Sequence, residues 1–170
     1  MLEWLIETIS NPYLLIVILT LMPALELRAS IPYGILMAKE PVWLVVLLAV
    51  AVNILLGPVV FFLLDKVLHL FLKVRFLDRI WQRVIARTQR KIKPKVDKYG
   101  IWGLAVFIGV PLPGSGVYSG AVGGYLLGFT RREFYIATVC GVLIAAAAVT
   151  IVCLTGAETF KLFIKDVPAQ

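Results

Sequence analysis

Two runs of 22 residues, 43–64 and 134–155, carry no charged side chain. As helices they would extend roughly 33 Å each, enough to cross a hydrocarbon core of about 30 Å. In that core no water satisfies backbone N–H and C=O groups, so a chain crosses it as helices or as a closed barrel. Uncharged runs of this length predict helices, and the fold class that follows is an all-α integral membrane protein. The chain is 170 residues long and 61% hydrophobic, with a mean hydropathy of +0.94. That suits a single membrane domain and leaves no room for a large hydrophilic catalytic one.

The remaining apolar segments are too short to span. Residues 13–25 supply thirteen apolar positions before Glu26, or about 20 Å of helix. Glu26 and Arg28 then place two charges in apolar surroundings, where each costs about 2.5 to 3.5 kcal/mol unless it faces protein or a watery cavity. Pro23, Pro32 and Gly34 argue against an uninterrupted helix here. Residues 12–40 therefore read as a re-entrant hairpin that returns to the side it entered. Ahead of it, residues 1–11 hold Glu3, Trp4 and Glu7 and end at Asn11-Pro12, the pattern of a short interfacial helix with a stop. Acids stand where a signal peptide has bases, so no cleavable leader is expected.

The first span, 41–65, has Asn53 at its middle and a Gly57-Pro58 pair that would kink its lower half. A second short apolar run, 101–110, meets Pro111-Leu112-Pro113-Gly114-Ser115-Gly116, which no straight helix tolerates. Its return arm carries Gly116, Gly120, Gly124 and Gly128, a small-residue stripe that lets another helix backbone approach closely. Residues 99–130 thus form a second re-entrant hairpin. Thr130 followed three positions later by Glu133 has the form of a capping box, and residues 131–155 make the second span. The tail, 156–170, is amphipathic, with Lys161 and Lys165.

Charge fixes the orientation. Eleven of the 17 Lys and Arg residues fall between Lys66 and Lys98, and loops this basic stay in the cytoplasm. Within 66–98, Leu70, Leu77, Ile80, Trp81, Val84 and Ile85 recur at helical spacing, while Arg75, Arg79, Arg83, Arg87 and Arg90 follow another face. This predicts a cytoplasmic amphipathic helix lying on anionic headgroups, each arginine worth about 1 kcal/mol. Nucleic acid is the competing ligand for such a helix, but membrane segments on both sides favour a surface anchor, and no nucleic-acid role is expected. His69 is assigned no role. Cys140 and Cys153 would be about 20 Å apart along one helix, too far for a disulfide. Nothing has the pattern of a metal cluster, a nucleophile with its base, or a nucleotide phosphate loop, so neither enzymatic activity nor a cofactor is expected.

The two halves share one grammar: short arm, proline-containing tip, glycine-containing return arm, polar break, long span. Thirty residues separate Pro23 from Asn53 and, equally, Pro111 from Gly141. One span and one cytoplasmic helix lie between the hairpins, so the first enters from outside and the second from inside. The repeat is therefore inverted, with both termini extracytoplasmic, and transporters of this plan bind substrate near the midplane where broken helices meet.

The candidate substrate or ion site lies at the tips. Glu26 could take up a proton on one side and release it on the other; the plainer roles are a partner for Arg28 or a hairpin cap. Two apart on a helix, the pair would point to different faces and could meet only if the tip unwinds. Arg28 could clamp a phosphate or carboxylate through its planar fork, or pair with tip carbonyls. Ser115, with the amides of Gly114 and Gly116, could form an anion-accepting nest facing Arg28, or the glycines and prolines could serve only the turn. Ser30, Asn53, Tyr118 and Ser119 complete the set as polar groups lining a cavity; for Asn53 the plainer role is an interhelical hydrogen bond.

At the tips, Pro-Ala-Leu-Glu-Leu-Arg-Ala-Ser-Ile-Pro-Tyr-Gly (23–34) and Val-Pro-Leu-Pro-Gly-Ser-Gly-Val-Tyr-Ser-Gly (110–120), the chain closely resembles the small multi-drug export protein family of bacteria and archaea. That family is distantly similar to the DedA/VTT superfamily. The resemblance implies paired re-entrant hairpins and movement of lipids such as polyprenyl-phosphate carriers. DedA proteins typically carry arginines in the second hairpin region and extra membrane acids; here Arg131 and Arg132 lie beyond the second hairpin's return arm. The expectation is a proton-coupled secondary transporter or flippase for an anionic, phosphate-bearing lipid. Two alternatives stand beside it: an exporter of small amphipathic cations with Glu26 as counter-charge, and a non-transporting scaffold that binds anionic lipid or a partner. Two spans and two half-crossings are few to enclose a site, so a homodimer among membrane lipids is expected.

Overall fold

A computed structural model describes residues 9, 11–23, 25–71, 99–110 and 115–165, with side chains described only up to 67 and 156 in the helices that close the second and last of these long stretches. The interfacial helix expected over 1–11 and the basic helix and linker expected over 66–98 lie wholly or largely outside these residues, as do the tip positions 111–114. The regular structure among the described residues is all helical. They form α1 (Pro12–Leu21), α2 (Glu26–Pro32) prolonged by a π-turn (Tyr33–Met37), α3 (Val42–Phe71), α4 (Tyr99–Gly109), α5 (Val117–Leu127) and α6 (Arg131–Lys165). Of these, α3 and α6 contain stretches long and apolar enough to cross a membrane, Val42–Val67 and Arg131–Gly156.

Asn11 and Pro12, a stop signal in the sequence, serve here as a start. The Asn11 side chain accepts from the N–H groups of Tyr13 at 3.0 Å and Leu14 at 3.4 Å, and Pro12 occupies the first helical position, where its missing N–H costs nothing. The chain turns at 22–25, where the N–H groups of Leu25 and Glu26 both return to the Met22 carbonyl. Pro32 and Gly34 do not interrupt the return arm as their residue types predict. The helix passes through Pro32 and widens into the π-turn, in which the Ala38 N–H reaches the Tyr33 carbonyl at 3.0 Å. The widening begins after the proline, whose own turn stays tight, with the Tyr33 N–H bonded to the Ala29 and Ser30 carbonyls. Likewise α3 runs on through Pro58, which is exposed, and continues past the expected exit at Asp65 to Phe71.

Each broken pair is an antiparallel hairpin. In the first, a Cβ on Gly34 would lie 3.0 Å from the Ile16 side chain, and the Tyr13 hydroxyl donates to Glu40 at 2.5 Å, so partners diverge along the chain. In the second, Gly120 faces Ile108 and Gly124 faces Leu104. The middle glycines of the expected stripe admit side chains, whereas Gly116 and Gly128 sit at the ends of α5 with positive φ, 119° and 78°. The close approach of backbones falls elsewhere: a Cβ on Gly141 of α6 would stand 2.7 Å from the Ala105 carbonyl oxygen of α4.

The first hairpin's base adjoins the start of α3 through the short 38–41 connection. The second hairpin's base leads into α6, whose Arg131 pairs with Asp65 near the other end of α3 at 2.7 Å. The expected capping box is present, with the Thr130 N–H and hydroxyl each donating to Glu133 at 2.8 Å. The hairpin tips consequently approach each other from opposite ends of α3. Around them a core forms from Ile16, Leu27, Ile31, Val45, Ile108, Val117 and Val142, with Phe61 stacked on Phe134 at 4.6 Å. The outer faces of α3 and α6 expose Leu47, Leu55, Val59, Ile151 and Val152, a surface suited to lipid rather than water.

Candidate functional site

The two hairpins are joined tip to tip by polar side chains. Glu26 begins α2 with a left-handed φ of 46°, which aims its buried carboxylate at the start of α5. There Oε2 accepts from the Val117 N–H at 3.1 Å and Oε1 from the Tyr118 N–H at 3.3 Å. These are the first two N–H groups of a helix, which lack partners within it and carry its positive dipole end, so a carboxylate is the complementary group. Gly116 precedes them at φ 119°, and a Cβ there would fall 2.6 Å from Glu26 Oε2. Only glycine fits both the backbone angle and the approach.

Arg28 bonds beside this cap. Its Nη2 donates to Ser115 Oγ at 2.6 Å and to the Val110 carbonyl at 3.3 Å, while the Ser115 hydroxyl donates to the same carbonyl at 2.5 Å. Tyr118 closes the junction by donating to the Leu21 carbonyl at 2.5 Å. The structure thus brings together Glu26, Arg28, Ser115 and Tyr118 from segments about 90 positions apart. It assigns the helix-terminal N–H groups to Glu26 through Val117 and Tyr118, whereas the sequence pattern points to amides of Gly114 and Gly116.

Asn53 joins the group from α3. It is fully buried, and a cavity of about 10 Å³ is lined by Asn53, Glu26, Arg28, Leu27, Ile108, Val117, Val142 and Ala145. Both polar atoms of Asn53 lack a hydrogen-bond partner among the described residues. Ser30, one turn beyond Glu26, is also fully buried with its hydroxyl unpartnered. Ser119 is half-buried, and no hydrogen bond among the described residues ties it to the tips. Of the packing glycines, Gly116 belongs to the junction and Gly120, Gly124 and Gly128 do not. Arg75, Arg79, Arg83, Arg87 and Arg90 lie outside the described residues.

Two groups here escaped the sequence reading. Thr138 of α6 is fully buried with its hydroxyl unpartnered and stands against Gly57 of α3; a threonine in an apolar helix is too common to signal itself. The Tyr13–Glu40 bond ties the ends of the first hairpin, and an acid before a proline reads as a loop. No group of His, Cys, Asp and Glu among the described residues could hold a metal ion. Both cysteines are free.

Residues 26–148 match the family model described as "putative small multi-drug export protein". No curated protein and no solved structure matches the chain.

Proposed function

The chain belongs to the small multi-drug export protein family and is a membrane protein; on that premise we propose that it is a proton-coupled secondary transporter or flippase for an anionic lipid headgroup. In this reading the helix hairpins are re-entrant, form an inverted repeat, and meet near the midplane, where transporters with broken helices hold their substrates. The observation that carries it is the tip junction, in which Glu26 caps α5 while Arg28 beside it bonds to Ser115 and the Val110 carbonyl.

As a carboxylate, Glu26 offers acceptors to both N–H groups and a negative charge to the helix dipole. Protonation removes the charge and commits one oxygen to a hydroxyl, which donates. The cap then weakens and the hairpins can part. Arg28 would exchange its neutral acceptors, Ser115 and the Val110 carbonyl, for phosphate oxygens that match its fork and carry the opposite charge. A cationic drug is served less well, because the Glu26 oxygens are already engaged by α5. Each of the other described carboxylates is engaged too, Glu40 by Tyr13, Asp65 by Arg131 and Glu133 by Thr130. The distant similarity to the DedA/VTT superfamily supports a lipid phosphate such as a polyprenyl phosphate. A homodimer would complete the wall around a junction in which Arg28, Ser115 and Tyr118 are only partly buried.

Proteoliposomes bearing a fluorescent short-chain polyprenyl phosphate test this. Wild type should translocate it faster under a proton gradient, Arg28→Ala should lose at least about tenfold in rate, the worth of one charge-assisted hydrogen bond, and Glu26→Gln should lose the response to the gradient. Wild-type rates in both variants would sink the assignment. Gradient-driven loss of ethidium with no lipid movement would move the substrate to amphipathic cations. No movement of either probe would leave a lipid-binding scaffold.

A further inference from the structure

Asn53 presents a carbonyl oxygen and an amide to the cavity it shares with Glu26 and Arg28, and neither has a hydrogen-bond partner among the described residues. Leaving two such groups unmet in an apolar interior is costly enough that native structures meet them with protein or water. A cavity of about 10 Å³ is near the smallest that holds a water, and a buried water needs two to four polar partners. Asn53, the Glu26 carboxylate and the Arg28 guanidinium supply them. A metal cation fits less well, since a guanidinium lines the same small space.

The neighbouring unmatched hydroxyls fall on either side. Thr138 stands against Gly57, one turn along α3 from Asn53 toward Asp65. Ser30 lies one turn along α2 from Glu26 in the other direction, toward Gly34, which packs on Val45. Each is roughly 6 Å along a helix from the Asn53–Glu26 level, and both are fully buried without a partner among the described residues. The groups that face Glu26 from the packed elements are otherwise few. Arg28 is charged and Tyr118 of α5 is titratable, while α4 and α6 contribute Ile108, Val142 and Ala145 to the cavity.

We infer that Asn53 is a positioning residue that holds one water against Glu26, and that this water delivers the proton to the carboxylate. The water gives one proton to a Glu26 oxygen as it takes one from solvent reaching the cavity, so no charge is left on it. The inference rests on the reading of Glu26 as the proton-binding group, but its test requires no transport.

The full chain in lipid nanodiscs is followed by infrared spectroscopy at acid pH, where the protonated Glu26 carboxyl gives a C=O band identified by its loss in Glu26→Gln. On transfer to D2O, Asn53→Leu, which fills the cavity, should slow exchange of that band by about tenfold, the upper worth of one lost hydrogen bond. Asn53→Ser, which keeps a hydroxyl and leaves room, should stay within about threefold of wild type. Equal exchange in wild type and Asn53→Leu would overturn the inference. Should Asn53→Leu fail to fold, high-resolution density of wild type decides: one water peak between the Asn53 amide and the Glu26 carboxylate supports the site. A closed cavity, or a peak with a metal-ion coordination shell, overturns it. Absence of the Glu26 band at every pH would refute the proton-binding reading itself, a result separate from either outcome for Asn53.

Discussion

Glu26 and Gly116 are each strained alone and matched together. A left-handed glutamate costs on the order of 1 to 3 kcal/mol, and here the strain lets one carboxylate reach two N–H groups at the start of α5. Gly116 makes room for it. Gly116→Ala should therefore destabilise the protein by about 2 kcal/mol or more, since strain at φ 119° and a 2.6 Å clash with Glu26 add. Gly123→Ala is the control on the same helix: a Cβ there meets nothing within 4 Å, and alanine should leave stability unchanged or raise it by about 0.5 to 1 kcal/mol. Thermal unfolding of the purified protein in one lipid or detergent compares them, and equal loss in both variants would refute the fit. The exposed Arg131–Asp65 pair offers a contrast. Its side chains are 69% and 30% exposed, so Arg131→Ala should cost less than about 1 kcal/mol in the same measurement.

Among the elements, the two long apolar helices and the shorter ones beside them were legible because lipid imposes length on an apolar run. The 22-residue runs anchor α3 and α6, and the short arms appear as α1 and α4. The capping box was legible for the opposite reason, since both partners lie within four residues. What could not be read was how helices meet. The glycine stripe of α5 advertises close packing, yet its middle members receive the side chains of Ile108 and Leu104. The backbone approach belongs to Gly141, isolated in α6, against Ala105. Spacing reports which positions are small, while the partner's shape decides which of them is used. Pro32 was misleading because residue type signals a break, whereas the helix runs through it and widens only afterwards. Gly141→Ala should cost about 1 to 3 kcal/mol by forcing α4 off α6. Gly156→Ala, with open space around it, should cost nothing measurable. Comparable melting temperatures for the two variants would refute the close α4–α6 contact.

For the whole molecule, contacts between distant segments decide the architecture, and a sequence shows these only as paired oddities. Glu26 and Arg28 were visible as charges in apolar sequence and Ser115 as a polar group at a glycine-rich tip, but the amides that hold Glu26 carry no side-chain signature. The opposed tips have a consequence that reaches both membrane faces. Lys39 lies at the base of the first hairpin and Arg132 beside the base of the second, at opposite ends of α3, so the two positions should lie on opposite sides of the bilayer. The excess of Lys and Arg over 66–98 predicts that the Arg132 end lies inside. Single cysteines, Lys39→Cys and Arg132→Cys, in a background with Cys140→Ala and Cys153→Ala, test this with a membrane-impermeant maleimide. Intact cells should label position 39 and spare 132, and inside-out vesicles should reverse the pattern. Labelling of both positions from one side would mean that α3 does not cross, and the tip junction would then have no midplane to occupy. Reversal of the whole pattern would keep the architecture and overturn only its orientation. Charge and fold thus answer separate questions here, one predicting which end is inside, the other bringing Glu26 and Arg28 from one end to meet Ser115 and Val117 from the other.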